Sequence, residues 1–126
     1  MAIMTSSAVE AAKRWASDGI SVNALNPGRI ASTNLGRHQA PPPADFDPSG
    51  ATGVSVKDIP QGAATSVLLA ASPLVEGVSG AYFEDAHEAV PYVAGVRRGV
   101  AAHALDPVLA ARLWTLSEDL LAEAGY

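Results

Sequence analysis

The sequence predicts an α/β fold built from three helices and two short strands. Helical spacing of apolar residues marks three segments, at about 7–18, 58–72 and 106–124. Runs that contain β-branched or aromatic residues mark two strands between them, at 20–26 and 81–83. The length of 126 residues lies in the usual range for one domain, so a single domain is expected.

The composition limits the kinds of partner that the chain could have. Hydrophobic residues make up 48% but aromatics only 6%, and small side chains bury little area each, so the core is expected to be thin. The net charge of −5 argues against nucleic acid and anionic membranes as partners. No cysteine is present, which excludes disulfides and thiolate metal sites. The longest apolar run, 67–71, is far too short to span a membrane, and a cytoplasmic location is expected.

The first helix is predicted from about Ser7 to Asp18. Ser7 and Glu10 have the spacing of a capping box, in which each side chain bonds the main-chain amide of the other residue. Gly19 follows and suits the left-handed conformation that often ends a helix. The helix is therefore expected to begin at Ser7 and to end at Gly19.

The other two helices carry clear start signals. Asp58 and Gln61 form a second capping box, and Pro73 ends that helix. Its predicted apolar stripe consists of Ala64, Val67, Leu68 and Ala71. Asp106 caps the last helix, with Pro107 in its first position and Gly125 after its end. Its predicted apolar stripe consists of Leu109, Leu113, Leu116 and Leu120.

The strand at 20–26 ends in a sharp turn. Ile20, Val22 and Leu25 supply its apolar residues and suggest that it is buried. Pro27 cannot continue a central strand, and Gly28 allows a bound molecule to approach the backbone closely. Open α/β sheets bind their ligands at such strand ends. The sequence therefore predicts a ligand site made largely of main chain.

Residues 29 to 56 are predicted to form a long loop. They are rich in Gly, Pro, Ser and Ala, include three consecutive prolines, and offer few apolar residues for a core. Loops of this length are usually functional or disordered.

Five segments, in order, resemble the short-chain dehydrogenase/reductase family, in particular its branch of retinol dehydrogenases and WW-domain oxidoreductases. They cover nearly the whole chain, and their order makes the resemblance specific where a lone Pro-Gly would not be. The segments are Asp18-Gly19-Ile20-x-Val22-Asn23-Ala24-Leu25-x-Pro27-Gly28, Leu35-Gly36-Arg37-His38, Gln61-Gly62-Ala63-Ala64-Thr65, Ser79-Gly80-x-Tyr82-Phe83-x-Asp85 and Ala111-Arg112-Leu113-Trp114-x-Leu116-Ser117.

The resemblance implies a fold and a cofactor site. The two strands would be the sixth and seventh of a parallel sheet in a partial Rossmann-type, doubly wound fold, and 29–56 would be a flexible region that covers substrate. The family binds NAD or NADP and transfers hydride between an alcohol and a carbonyl compound. The implied cofactor-binding residues are Asn26, Pro27, Gly28, Ile30 and Thr33. Ser32 is an alternative to Thr33. The family spacing places the hydroxyl residue two positions after Ile30, which is Ser32, whereas the following Leu35 favours Thr33.

The resemblance also shows what the chain lacks. The family uses a Gly-x-x-x-Gly-x-Gly loop for cofactor phosphates and a Ser with a Tyr-x-x-x-Lys pair for catalysis, and none of these is present. No catalytic residue is therefore assigned, and 1–126 is expected to be the C-terminal half of such a domain, inactive by itself. Its sixth strand would lack a neighbour on one side, which favours a homo-oligomer or a complex with a missing N-terminal half. A non-catalytic, self-associating fragment is the alternative.

Other polar and aromatic residues receive structural interpretations. The histidines match no zinc-binding spacing, so no metal site is predicted; they are His38, His87 and His103. The acidic residues after the second strand are interpreted as a solvated charge run; they are Glu84, Asp85 and Glu88. Trp15 and Trp114 are expected to be packing residues.

Limited proteolysis should cut the chain first within 36–56. The three prolines and low apolar content of this segment leave little to offset the entropy of ordering it. We expect cleavage there before cleavage in the helix at 58–72, as followed by mass spectrometry. Equal protection of the two segments would instead indicate a packed lid.

Overall fold

A computed structural model describes residues 2–30, 33–34, 56–96 and 98–126. Three α-helices, α1 (Ala2–Arg14), α2 (Ile59–Ala71) and α3 (Pro107–Glu123), accompany five very short strands. The strands are β1 (Ala24–Asn26), β2 (Arg29–Ile30), β3 (Val56–Lys57), β4 (Tyr82–Glu84) and β5 (His87–Glu88). The predicted α/β class is thus confirmed, while β2, β3 and β5 were not predicted.

The main sheet has the order β1-β4-β5. β1 and β4 run parallel, with Leu25 opposite Phe83 and Asn26 opposite Glu84. β4 and β5 are antiparallel and are joined by a two-residue turn. β2 and β3 form a separate parallel pair. Within the described residues, β1 is therefore an edge strand of the main sheet.

The side chain of Asn23 joins the two segments that lead into β1 and β4. Its Nδ2 donates to the Val78 carbonyl at 2.9 Å, and its Oδ1 accepts from the Ala81 amide at 3.0 Å. Main-chain hydrogen bonds flank this side chain, from Gly80 to Val22 at 2.7 Å and from Ala24 to Ala81 at 2.9 Å. One side chain thus completes the pairing where the regular ladder has not yet begun.

Small side chains form most of the core. The buried apolar residues are Ala8, Ala11, Ala12, Tyr82, Phe83, Val100, Ala104 and Ala110. Alanines allow close approach between backbones: a Cβ placed on Gly80 would lie 3.5 Å from the Cβ of Ala12. Ser6 links α1 to the 3₁₀ turn at 102–104 by donating to the Ala104 carbonyl at 3.1 Å. The expectation of a thin core is confirmed.

Aromatic packing joins the end of α1 to α3. The rings of Trp15 and Trp114 meet edge to face at 5.9 Å, and the Arg14 guanidinium lies 4.9 Å from the Trp114 ring centre. Trp114 Nε1 donates to Glu118 at 2.7 Å. The prediction that both tryptophans are packing residues is confirmed.

The start of the first helix was predicted wrongly. α1 begins at Ala2, so Ser7 lies inside it and does not cap it. The Ser7 hydroxyl donates to the carbonyl of Ile3, one turn back, at 3.0 Å, which lets a serine continue a helix. Glu10 instead forms an ion pair with Arg14 at 2.8 Å. Gly19 does adopt the predicted left-handed conformation, with φ +72°, after a final 3₁₀ turn.

The first strand is shorter and less buried than predicted. The prediction ran from 20 to 26, whereas β1 contains only Ala24–Asn26, and Ile20 is half exposed. The reason is the Asn23 side chain, because its oxygen takes the Ala81 amide that a strand carbonyl would otherwise bind. The predicted loop at 29–56 likewise has a strand at each end, β2 and β3, and the residues between them, except 33–34, lie outside the described part of the chain.

The caps of α2 and α3 were predicted correctly, but the buried faces of these helices were not. Both parts of the Asp58–Gln61 capping box are present, and Asp106 caps α3. α2, however, buries Gly62 and Thr65 and leaves Val67 on the surface, and Leu116 and Leu120 of α3 are more than half exposed. α2 lies on strands of only two or three residues and α3 packs chiefly on α1, so neither helix buries a full apolar stripe. No helix within the described ranges is long and apolar enough to cross a membrane.

Replacement of Asn23 by alanine should destabilise the fold. It removes two hydrogen bonds and leaves a partly buried amide and carbonyl unpaired, so we expect a loss of about 1 to 3 kcal/mol in the free energy of unfolding. Chemical denaturation followed by circular dichroism measures it. Ser66→Ala, at an exposed position of α2, is the control and should change stability by less than about 0.5 kcal/mol. An Asn23→Ala variant as stable as this control would show that the two bonds contribute little.

Candidate functional site

The turn after β1 exposes main chain. Asn26 is the last residue of the strand, and its Oδ1 accepts from the Gly28 amide at 3.0 Å, which fixes the turn locally. Gly28 has φ +86°, a conformation that other L-residues rarely adopt. Both Pro27 and Gly28 are exposed. The backbone at this point is therefore exposed.

The Lys57 side chain lies over this turn. A Cβ placed on Gly28 would come within 2.9 Å of Lys57 Cε and 3.0 Å of its Cδ and Nζ. The Lys57 ammonium forms an ion pair with Asp85, with Nζ and Oδ1 2.5 Å apart, and the lysine side chain is only 11% exposed. An unpredicted cation is thus held beside the exposed turn.

Asp85 belongs to the tight turn between β4 and β5. Asp85 and Ala86 both have positive φ, +51° and +61°, the combination that a two-residue hairpin turn of type I′ requires. The Ala86 amide donates to the hydroxyl of Thr65 at 3.0 Å, and Thr65 is fully buried on α2. The helix therefore anchors the hairpin turn.

The ion pair sets the charge state of Asp85. The hydrogen bond from Lys57 holds the pKa of the Asp85 carboxyl below its ordinary value, although burial acts in the opposite direction. Electrostatic interactions with Lys57, Arg98 and His87 also lower this pKa. Asp85 is therefore ionised at neutral pH.

Buried polar groups lie behind the turn, at the ends of β1 and β4. Burial raises the pKa of the Tyr82 phenol, Glu84 and Asp85 raise it further, and a hydrogen bond with the Asn26 side chain acts in the opposite direction. Glu84 is almost fully buried and accepts from the Gly99 amide at 2.6 Å. The interpretation of the acidic cluster as a solvated charge run was wrong for Glu84 and for the ion-paired Asp85, and holds for the exposed Glu88.

Ile30 and Thr33 continue the chain beyond the turn. Ile30 ends β2 opposite Lys57, and its side chain packs on Gly62 of α2, where a Cβ would lie 2.5 Å from Ile30 Cγ1. The Thr33 hydroxyl donates to the Ile30 carbonyl at 3.1 Å. Ser32, the alternative to Thr33, lies outside the described residues. The structure thus places Asn26, Pro27, Gly28 and Ile30 in one turn-and-strand unit, with Thr33 against its end.

An open groove of about 700 Å³ lies along one face of β1, away from the turn. The lead-in to β1 and the C-terminal end of α2 form its walls. Its lining includes Ser21, Asn23, Leu25, Leu69, Pro73 and Val75. Among the described residues, no group of three His, Cys, Asp or Glu side chains could hold a metal ion.

Lys57, Asp85 and Thr65 are the residues near the turn that sequence reasoning missed. Lys57 immediately precedes Asp58, the cap of α2. Nothing in that position indicates that its side chain will pair with Asp85, far along the chain. Asp85-Ala86 lacks the glycine that usually marks a type I′ turn. Only the fold brings Lys57 and Asp85 to Gly28, and Thr65 to the hairpin turn that carries Asp85.

Comparison with known proteins gives a consistent set of relatives. The chain is 52% identical over 126 residues to a probable oxidoreductase of Streptomyces antibioticus, an alignment that covers 90% of this chain and 40% of that protein. It is 38% identical over 110 residues to human retinol dehydrogenase 14, covering 86% of the chain and 30% of the relative. Short-chain dehydrogenase/reductase prx1 of Penicillium roqueforti is 39% identical over 111 residues, with 86% and 32% covered.

Neither a family model nor a solved structure matches the chain. The names of the relatives nevertheless agree with the family that the five ordered segments resemble, and the chain spans two fifths or less of their length. The resemblance seen in the sequence is confirmed: the chain is related to the short-chain dehydrogenases/reductases and matches one part of these proteins.

Proposed function

We propose that this chain is the C-terminal part of an NAD(P)-dependent short-chain dehydrogenase/reductase, and that the turn at Asn26–Pro27–Gly28 presents its main chain to the nicotinamide. The exposed, side-chain-free backbone at Gly28 carries the proposal. The partial match to the relatives supports the view that the remainder of the cofactor site belongs to another part of such a protein.

The residues present suit the nicotinamide end of such a cofactor. A carboxamide is a flat polar group, and it can bond to main-chain amides and carbonyls when no side chain intervenes. Gly28 has no side chain of its own, while its amide already donates to Asn26 and the Lys57 stem lies where its Cβ would stand. Asn26 holds the turn in shape before any ligand binds, which reduces the cost of ordering on binding.

The nicotinamide would supply the hydride chemistry, accepting hydride from an alcohol or giving it to a carbonyl compound. The role proposed for this chain is to hold and orient the carboxamide through the turn after β1. Ile30 and Thr33 would continue the same surface, with Ile30 seated on α2. The proton donor would come from a Tyr-x-x-x-Lys pair elsewhere, since no tyrosine of this chain has lysine four residues later.

The open side of β1 supports a second possibility, a non-catalytic fragment that self-associates. Among the described residues β1 is an edge strand, and neither proline nor lysine within it blocks pairing with another strand. Both proposals allow the chain to associate through β1. A measurement of activity therefore distinguishes them better than a measurement of assembly.

The 126-residue chain alone should show no NAD(P)H-dependent turnover with small carbonyl compounds or retinoids. General acid–base catalysis contributes roughly 10² to 10⁴-fold, and the group that would supply it is missing. The phosphate-binding loop is missing too, so little cofactor affinity is expected. Absorbance at the NADH band measures turnover. Turnover that disappears on substitution of Gly28 would contradict this expectation.

Gly28→Ala should weaken cofactor binding when the chain is co-expressed with the N-terminal part of its Streptomyces antibioticus relative. Alanine adds a side chain at the proposed contact, strains the turn by about 1 kcal/mol, and places its Cβ 2.9 Å from Lys57 Cε, so the lysine stem must also move. Gly19→Ala is the matched control, because Gly19 also has positive φ but would meet nothing within 4 Å. Fluorescence titration with NADH and NADPH should show at least a tenfold loss for Gly28→Ala alone. Equal affinities in the two variants would argue against a cofactor contact at this turn.

The isolated chain should be oligomeric or poorly soluble, and co-expression with the N-terminal part should improve its solubility. The edge of β1 exposes backbone donors and acceptors that another strand can pair. Sedimentation velocity at tens of micromolar measures the assembly. A well-dispersed monomer would mean that the chain covers its own edge.

A further inference from the structure

We propose that Lys57 and Asp85 are positioning residues that together hold the Pro27–Gly28 turn in its open conformation. This inference rests on the proposed function, because the turn is the surface offered to the nicotinamide. Their ion pair, hereafter the strut, connects the turn to the β4–β5 hairpin and through it to α2.

The Lys57 side chain contacts the turn. The lysine stem occupies the space where a side chain at residue 28 would begin, with its last carbons about 3 Å from that point. A glycine there lets the stem lie flat on the backbone. If the stem moved away, the turn would lose the surface that supports it on this side.

Both the main chain and the ammonium of Lys57 are held in place. Its main chain belongs to β3, which pairs with β2 directly beyond the turn, opposite Ile30. Its ammonium is held by Asp85 and is largely shielded from water. A lysine in solution samples many rotamers, whereas this one is confined to the conformation that crosses Gly28.

Asp85 is itself held in place by the hairpin turn. Asp85 and Ala86 form a turn with two positive φ values, and the buried Thr65 hydroxyl binds the Ala86 amide at 3.0 Å. Such a turn has little freedom to shift toward or away from Lys57. The strut therefore transmits the position of α2 and the hairpin to the turn after β1.

The charges around Asp85 determine when the strut exists. Lys57 on β3, His87 on β5 and Arg98 all favour its ionised form, and the acidic neighbours on β4 are Glu84 and the phenol of Tyr82. Because the pKa of Asp85 in the folded chain is lowered, the strut is complete above the ordinary aspartate range. It is lost only as the pH falls through the lower, folded value.

The test follows the main-chain amide of Gly28 in ¹⁵N-labelled protein by TROSY NMR. In the natural chain this signal should titrate in the acid range, with a midpoint below that of an ordinary aspartate. Asp85→Asn keeps a residue that tolerates positive φ and removes only the charge. Lys57→Met keeps an apolar stem and removes the ammonium. Both variants should shift the Gly28 signal at neutral pH and abolish its acid titration.

Two exposed positions provide matched controls, Asp119→Asn and Lys13→Met, which should leave the Gly28 signal and its titration unchanged. The Ala86 amide reports whether the hairpin remains folded. If a variant unfolds, the titration of the natural chain still decides, since it requires no substitution. A Gly28 signal without acid titration, or one that titrates equally in Asp85→Asn, overturns the strut. The experiment contains no cofactor, so its failure counts against the strut alone, and the binding test on Gly28→Ala decides the proposed function.

Discussion

The parallel pairing of β1 with β4 is the contact on which the rest of the arrangement depends. It joins two segments more than fifty residues apart in sequence, and three residues of each strand form its ladder. So short a ladder is supported by the side chain of Asn23, which binds the opposite segment through both its amide nitrogen and its oxygen. Because the strands are parallel, their carboxyl ends meet at one edge. The turn after Asn26 and the turn after Glu84 therefore lie side by side, close enough for one lysine to reach both.

The structure shows which features a sequence reveals and why others stay hidden. The caps Asp58 and Asp106 and the left-handed Gly19 were predictable because each depends on residues within a few positions of itself. Ser7 shows the limit of such signals. The same serine that could cap a helix can also bond back to the carbonyl of Ile3, and the choice depends on packing of the preceding turn.

The candidate site likewise contains some residues that the sequence predicts and others that it does not. Asn26, Pro27 and Gly28 are contiguous, so a strand followed by Pro-Gly was enough to predict an exposed backbone turn. Lys57 and Asp85 are far from it in the chain and meet it only through two strand pairings, neither of which leaves a periodic pattern in two or three residues. The burial of Glu84 was missed for a related reason. Its partner is the backbone amide of Gly99, and a backbone amide gives no sign in the sequence that it will bind a distant carboxylate.

The two borders of the main sheet differ in a way that limits how copies of the chain could combine. β5 contains only two residues, both polar, and the tight turn before it and Pro91 shortly after it leave little straight backbone for another strand to join. Among the residues that the structure describes, β1 has no comparable protection. When one edge of a sheet is open to pairing and the other is blocked, one further chain can add a strand. A third chain then has no free edge to pair with. Pairing through the main sheet alone would therefore end at two chains, and growth into a fibre would require a different surface.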